Sequence, residues 1–119
     1  MALAEPLSFW GGLEIASGRI IDRWHPDHGA CLAGRVVVMA SGRGSSSASS
    51  VLAETVRLGT APAGIVLRRP DEILTIGALV AASLYDRHCP IVVAATDEAF
   101  AEIASAKAAA IDGGTVVLR

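Results

Sequence analysis

The chain alternates between short apolar runs and longer segments with mixed apolar and polar positions, a pattern that predicts strands separated by helices. Four short apolar runs predict strands, at residues 35–40, 64–67, 91–94 and 115–118. Three longer segments predict helices, at about residues 48–58, 71–85 and 97–108. A helix between two strands usually returns the chain to a parallel neighbour through a right-handed crossover. The pattern therefore predicts an α/β fold.

The middle helix carries the clearest apolar stripe. Its stripe positions recur at spacings of three and four, at Ile73, Ile76, Gly77, Val80 and Leu84. Asp71 follows Pro70 and is the expected N-cap, since a short polar side chain can accept a first-turn N–H.

The third helix is expected to begin in a similar way, with Asp97 as its cap. The residues expected to face inward from it are Phe100, Ile103 and Ala104. The Ala-rich stretch from Ala104 to Ala110 is interpreted as packed helix. Asp71, Glu72 and Asp97 are better explained as helix starts than as catalytic acids.

Residues 13–22 predict a small N-terminal β-hairpin. Two short apolar groups flank Ala-Ser-Gly, and Gly18 is placed for a tight turn. With the later elements this gives a single small β/α domain over residues 1–119, a length that suits one hydrophobic core.

Composition and charge narrow the choice of partner. Hydrophobic residues make up 52% of the chain but aromatic residues only 4%, which is typical of parallel strands buried on both faces. The formal charge of −2 and the absence of a basic stripe argue against binding to nucleic acid. The longest charge-free run near the middle covers residues 73–85, too short for the roughly 20 residues that span a bilayer. With no secretory pattern at the N-terminus, we expect a cytoplasmic protein that does not bind membranes.

The two cysteines do not form a metal motif. Cys31 and Cys89 are far apart in the sequence, and neither belongs to a CxxC pair. They are interpreted as small buried apolar residues, because an iron–sulfur cluster normally takes three or four thiolates. Any iron chemistry would then require a second chain to hold the metal.

Residues 41–50 are the most informative segment for chemistry. They contain six serines, Gly42, Arg43 and Gly44, between a predicted strand and a predicted helix. The first turn of a helix leaves N–H groups unpaired and carries partial positive charge, so a carboxylate or phosphate binds well there. The two glycines let an anion approach the backbone, and Arg43 adds a planar donor. The segment is predicted to be an anion-binding loop.

Other interpretations of these residues fit less well. A Gly/Ser linker would separate two folding units, and the flanking chain is too short and too regularly patterned for that. A Walker loop would need a lysine beside the last serines, and a dinucleotide motif would need glycine at Ser47. His25 and His28 have HxxH spacing, yet the intervening Pro26 and the following Gly29 favour a structural turn. A hydrolase triad of Ser45, His25 and Asp22 lacks the GxSxG elbow.

Several segments, taken in order, resemble the small subunit, or swivel domain, of the aconitase X family. They are Gly11-Gly12-Leu13, Gly18-Arg19-Ile20-Ile21-Asp22, His25-Pro26 with His28-Gly29, and Ser41-Gly42-Arg43-Gly44-Ser45-Ser46-Ser47. The resemblance continues through Ala61-Pro62-Ala63, Ile65-Val66-Leu67, Pro70-Asp71-Glu72-Ile73-Leu74 and Pro90-Ile91-Val92-Val93. It covers about three quarters of the chain.

The resemblance implies a swivelling β/β/α domain that closes over a separate large subunit, together forming a hydro-lyase. It also implies that the large subunit holds an iron or iron–sulfur centre and that this chain binds no cofactor itself. Gly44-Ser45-Ser46 matches the family's serine loop, which makes Ser45 the expected general base. Ser47 stands where true aconitases place an arginine, which argues against citrate, and Arg43 is the candidate replacement.

We therefore expect a small hydroxy-acid substrate, its carboxylate held by Arg43, Ser46, Ser47 and the backbone at Gly42 and Gly44. Bacterial members resemble cis-3-hydroxy-L-proline dehydratases, and archaeal members resemble mevalonate 5-phosphate dehydratases. The Ala- and Arg-rich composition, with Lys107 as the one lysine, favours the bacterial reaction. A binding module that holds an anion without turning it over is the alternative from another class.

Overall fold

Three parallel strands form the central sheet of the computed structural model, which describes residues 1–44, 46–112 and 114–118. The strands are β1 (Val36–Met39), β2 (Gly64–Leu67) and β3 (Ile91–Val93), hydrogen-bonded in that order. Val36 pairs with Gly64 and Ile65 pairs with Ile91, so successive strands are in parallel register. The predicted α/β fold with a parallel sheet is confirmed.

Among the described residues, a short kinked turn, α1 (Phe9–Gly12), precedes the sheet, and three helices accompany it: α2 (Ala48–Leu58), α3 (Glu72–Tyr85) and α4 (Asp97–Ser105). Trp10 and Gly11 of α1 lie outside the helical φ/ψ region. A separate antiparallel pair, β4 (Ala109–Asp112) and β5 (Thr115–Leu118), follows α4. No helix in the part of the chain described above is long and apolar enough to cross a membrane.

Every residue of β1 and β2 is buried, whereas the edge strand β3 is partly exposed. Because successive side chains of a strand point to opposite sides, β1 and β2 are covered on both faces. Val37 and Met39 of β1 join the core beneath α2 and α3, while Val36 and Val38 join a smaller cluster on the other face. The side chains that pack on this second cluster include Phe100, Ile103 and Ala104 of α4, together with Ala109, Ile111 and Val116 of the β4–β5 pair. The inward orientation predicted for α4 is therefore confirmed.

The N-cap residue predicted for α3 is confirmed, and the one predicted for α4 is wrong. Asp71 caps α3 by accepting a 3.0 Å hydrogen bond from the Leu74 N–H. The cap of α4 is Thr96, whose hydroxyl accepts from the Ala99 N–H at 3.0 Å, so the prediction of Asp97 as cap is wrong. Thr96 has the extended backbone that an N-cap adopts, which places Asp97 inside the first turn.

The predicted end of the last helix is wrong, and the predicted N-terminal hairpin is not confirmed. Helix α4, predicted to extend to residue 108, ends at Ser105. Ala109 and Ala110 are strand residues, because they pair with Leu118 and Val117. The hairpin predicted over residues 13–22 is not confirmed as a pair of regular strands. Residues Leu13 and Ile20 form an isolated antiparallel bridge, with Gly18 at a φ of +75° between them.

The stripe predicted on α3 is only partly buried. Leu74, Gly77 and Ala81 face the core, whereas Ile76, Val80 and Leu84 are 54%, 40% and 67% exposed. The helix carries large apolar side chains on both faces, and the described residues of the chain cover only one of them.

Candidate functional site

The loops that follow β1 and β2 lie at the same edge of the sheet. Both strands run in the same direction, so their carboxyl ends meet there, where parallel sheets usually bind ligands. The first loop covers residues 40–47 and leads into α2, and the second covers residues 68–71 and leads into α3. The predicted strand, serine loop and helix arrangement is confirmed.

Backbone hydrogen bonds fix the start of the serine loop. The Ala40 carbonyl accepts from the N–H groups of Arg68 and Arg69, both at 3.1 Å. Gly42 forms a parallel bridge with Leu7, whose carbonyl accepts from the Arg43 N–H at 3.2 Å. The loop is therefore held between the N-terminal segment and the end of β2.

Gly42 is in close contact with the cap of α3. A Cβ atom at this position would lie 2.3 Å from Asp71 Oδ2, nearer than non-bonded atoms can approach. The other Asp71 oxygen accepts the Leu74 N–H. Only glycine therefore lets the loop lie against the carboxylate that caps α3.

The tip of the loop faces solvent. The side chains of Arg43, Ser46 and Ser47, and Gly44 itself, are exposed. Ser45, the predicted base, lies outside the described residues. The described loop residues Arg43, Gly44, Ser46 and Ser47 are therefore accessible to a ligand or a second protein.

The first turn of α2 is next to the loop. Ser47 is the N-cap residue, and its carbonyl accepts the N–H of Val51 at 3.2 Å. The N–H groups of Ala48, Ser49 and Ser50 lie in the first turn, where they cannot bond within the helix and carry partial positive charge. This end of α2 can bind an anion.

A second guanidinium lies beside the loop. Arg69 Nη2 donates to Ser41 Oγ at 3.3 Å, and the Arg69 side chain is exposed. Arg68 is instead held by Asp97 at 2.6 Å and by the Ala94 carbonyl at 3.2 Å. Arg69 is not among the site residues predicted from the sequence, although its position two residues after β2 puts it at the sheet edge that the loop occupies.

The isolated site has little internal space. A cleft beside the loop measures about 10 Å³, whereas small-molecule pockets usually measure several hundred. It is lined by Leu7, Phe9, Gly42, Arg43, Gly44, Ala48, Asp71, Ile73 and Leu74. The chain offers donors along one wall of a site, and another surface is needed to enclose a substrate.

The histidines do not join this site. His25 is buried, its Nε2 bonds the Glu5 carbonyl at 3.0 Å, and its Nδ1 accepts the Asp27 N–H at 3.0 Å. With both ring nitrogens engaged, His25 stabilises a turn, as predicted. The Asp22 carboxylate accepts the Trp24 N–H, and both ring nitrogens of His25 bond other partners, so the Asp22–His25 pair of the hydrolase triad is not formed.

The two cysteines are not bonded to each other and differ in burial. Cys89 is buried, and this burial raises the pKa of its thiol to about 12. Cys31 is half-buried and donates to the Ser17 carbonyl, so its interpretation as a buried apolar residue is wrong. Within residues 1–44, 46–112 and 114–118, no three His, Cys, Asp or Glu side chains are arranged to hold a metal ion.

Comparison with known proteins identifies the family. The aconitase X swivel domain matches residues 1–118. The cis-3-hydroxy-L-proline dehydratase of Pseudomonas aeruginosa is 50% identical over 99 residues, which are 83% of this chain and 17% of the relative. The phosphomevalonate dehydratase small subunit of Methanothermobacter thermautotrophicus is 40% identical over 77 residues, 65% of this chain and 59% of the relative. The chain thus spans about a sixth of the first relative and somewhat over half of the second.

Solved structures give the same result. Aconitase X of Thermococcus kodakaraensis in its holo form superposes with a TM-score of 0.65 at 25% identity, covering 74% of each chain. A solution NMR structure of a UPF0107 protein superposes with a TM-score of 0.78 at 27% identity, covering 99% of this chain and 87% of the other. From the sequence match over residues 1–118 and the shared fold, the chain belongs to the aconitase X swivel-domain family.

Proposed function

We propose that this chain is the swivel part of an aconitase X type hydro-lyase and that it works together with a large chain. The observation that carries the proposal is the exposed serine loop at the carboxyl edge of the sheet, in a chain 50% identical over 99 residues to a named dehydratase. The cleft is too small to enclose a substrate, which favours a site completed by a second protein surface.

Ser45 is the proposed general base. Dehydration of a 3-hydroxy acid needs a group that removes the weakly acidic α-proton while the hydroxyl departs as water. A serine alkoxide is normally inaccessible near neutral pH. Partial positive charge at the start of α2 and the guanidinium of Arg43 lower the cost of forming it in a site closed to water.

The remaining loop residues are proposed to bind the substrate carboxylate. Arg43, Ser46 and Ser47 offer exposed donors, and the backbone at Gly42 and Gly44 lets an anion approach the chain. Arg69 adds a guanidinium at the same edge, oriented by its hydrogen bond to Ser41. Two guanidinium groups can replace the arginine that true aconitases carry at the position of Ser47.

A metal centre is assigned to the large chain. An iron or iron–sulfur centre would supply the Lewis acid that assists departure of the hydroxyl. The described residues of this chain do not fit such a centre, because no three His, Cys, Asp or Glu side chains among them are arranged to hold a metal ion.

The proposed substrate is cis-3-hydroxy-L-proline. Its support is the identity of 50% to the Pseudomonas protein and of 40% over 110 residues to the protein of that name in Hypocrea jecorina. The alternative substrate is mevalonate 5-phosphate, since several archaeal relatives are named phosphomevalonate dehydratase small subunits.

Reconstitution tests the proposal. The chain is mixed with the large aconitase X chain of the same organism, and each candidate substrate is added while loss of water is followed by mass spectrometry. We expect turnover of hydroxyproline by the complex and none by the large chain alone. Turnover of mevalonate 5-phosphate alone would make it the substrate in place of hydroxyproline. Turnover of neither compound, with anion binding by this chain alone, would favour a non-catalytic binding module.

A further inference from the structure

Four large apolar side chains lie on the exposed face of α3, beside the exposed polar residues Glu72, Thr75 and Ser83. Ile76, Leu79, Val80 and Leu84 are 54%, 64%, 40% and 67% exposed; Leu79 follows Ile76 by three positions, and Ile76, Val80 and Leu84 follow one another at spacings of four. We call these four residues the outer stripe. They lie opposite Leu74 and Ala81, which face the core. A helix with apolar residues on both faces is usually buried on both.

The charge distribution favours a protein partner over a lipid surface. Residues 73–85 contain no charged side chain, and α3 has no basic residue in its last turn. Helices that lie on membranes usually carry lysines and arginines along their polar face. The composition of the outer stripe instead resembles the apolar centre of a protein interface.

The outer stripe is continuous with the candidate site. A groove of about 270 Å³ between α2 and α3 is lined by Ser49, Ser50, Val80 and Tyr85, among others. Ser49 and Ser50 belong to the first turn of α2, beside the serine loop. A protein that covers the loop can therefore extend directly onto Val80.

A second groove connects Ile76 of the outer stripe with the residues at the start of α3. A neighbouring groove of about 330 Å³ is lined by Asp71, Thr75, Ile76 and Val93, among others. Asp71 is the residue against which Gly42 of the loop lies. Val93 belongs to the edge strand β3 and is 43% exposed, which widens the apolar surface beside Ile76.

The relatives indicate what covers this surface. The matched part of the Pseudomonas dehydratase is 17% of its length, so most of that protein consists of a much larger body. A body that closes over the serine loop would meet the outer stripe next. We propose that the outer stripe is the docking surface for the large aconitase X chain, an inference that rests on the proposed function.

Two substitutions matched in type and exposure test this surface. Val80→Lys places a charge in the outer stripe, at a residue that is 40% exposed. Val117→Lys places the same charge at a residue that is 42% exposed on β5, in the β4–β5 pair that packs on the opposite face of the sheet. We expect Val80→Lys to raise the dissociation constant of the two-chain complex about 30-fold or more, and Val117→Lys to change it less than about threefold. Leu84→Lys, at a more exposed position, should act like Val80→Lys even if Val80→Lys disturbs folding.

The dissociation constant is measured by titrating the large chain into each variant, after circular dichroism of the free variant. Binding of both stripe variants as tight as that of the unaltered chain would overturn the proposal. A dimer of the free chain in sedimentation that Leu84→Lys converts to a monomer would overturn it too, since a second copy would then cover the stripe. An unaltered complex that forms through the stripe but dehydrates nothing would refute the proposed function and leave the docking surface standing.

Discussion

At the scale of single residues, Gly42 shows how the cap of a helix and the position of a loop depend on each other. The loop can lie against Asp71 only without a Cβ, which would come within 2.3 Å of Asp71 Oδ2. At Gly44, two residues along, the equivalent position has no described atom within 4 Å apart from those of Gly44 and its chain neighbours. The two glycines therefore have different constraints although both belong to the same motif.

Gly42→Ala is expected to lower the free energy of unfolding by about 1 kcal/mol, since the loop or the cap must move. It should also reduce turnover of the reconstituted enzyme. Urea denaturation followed by circular dichroism gives the stability, and Gly44→Ala serves as the stability control with little change expected. Equal stability of the two variants would contradict the role given to the Gly42 and Asp71 contact.

Arg69 is expected to affect substrate binding more than the chemical step. In the reconstituted enzyme, Arg69→Gln should raise KM about 10- to 100-fold with kcat nearly unchanged, because a charge-assisted hydrogen bond to the substrate carboxylate is lost. Arg57→Gln is the control, since Arg57 pairs with Glu54 on the surface of α2. A fall in kcat at constant KM would exclude the carboxylate-binding role of Arg69.

Cys89 provides a pH-dependent prediction. Burial raises the pKa of its thiol from 9.0 to about 12, so the unfolded chain loses this proton first and stability falls as pH rises between about 9 and 12. At pH 8, iodoacetamide should modify the half-buried Cys31 and leave Cys89 intact, while both react in urea. Mass spectrometry of the native protein showing equal labelling would contradict the burial of Cys89.

At the scale of secondary structure, local sequence specifies the N-cap of α3 but not the N-cap of α4. Asp71 was predicted as a cap and is one, because Pro70 before it leaves a single good candidate. Near residue 97 two candidates are adjacent, Thr96 and Asp97, and both can accept a hydrogen bond. Asp97 is also paired with Arg68, a contact 29 positions away that the sequence cannot reveal.

Thr96→Ala should therefore destabilise the protein by about 1 kcal/mol through loss of the α4 cap. Asp97→Ala should cost less, because its pair with Arg68 is largely exposed and such pairs contribute little. Thermal unfolding of the two variants under the same conditions compares them directly. A larger loss for Asp97→Ala would restore Asp97 as the residue that starts the helix.

The C-terminal elements were predicted incorrectly for a different reason. Alanine favours helix, so the Ala-rich stretch from Ala104 to Ala110 suggested a longer α4. Pairing with β5 instead makes Ala109 and Ala110 strand residues. The sequence Asp112-Gly113-Gly114 between two apolar runs is a hairpin signal that could have corrected the prediction.

At the scale of the whole molecule, the parallel sheet could be predicted because its apolar runs are short, regular and separated by helices. The serine loop could be placed for the same reason, since it follows β1 directly. The contact between Leu7 and Gly42 could not, because pairing across 35 positions has no local pattern. Nor could the sequence tell which apolar face of α3 the chain covers, as both faces have helical spacing.

The exposed face of α3 and the open serine loop suggest together that the isolated chain is an incomplete site. Each has a physical requirement that the chain alone does not meet: apolar side chains need cover, and a proton-abstracting serine needs exclusion of water. A single large chain that spans the loop and α3 would meet both requirements.

The most direct test of this account is the turnover of Ser45→Ala reconstituted with the large chain. Ser105→Ala, an exposed serine at the end of α4, is the matched control and should keep full activity. We expect Ser45→Ala to bind the large chain normally and to lose at least about a hundredfold in kcat, as removal of a general base does. A Ser45→Ala complex that dehydrates substrate at the unaltered rate would contradict the central claim that this chain supplies the base.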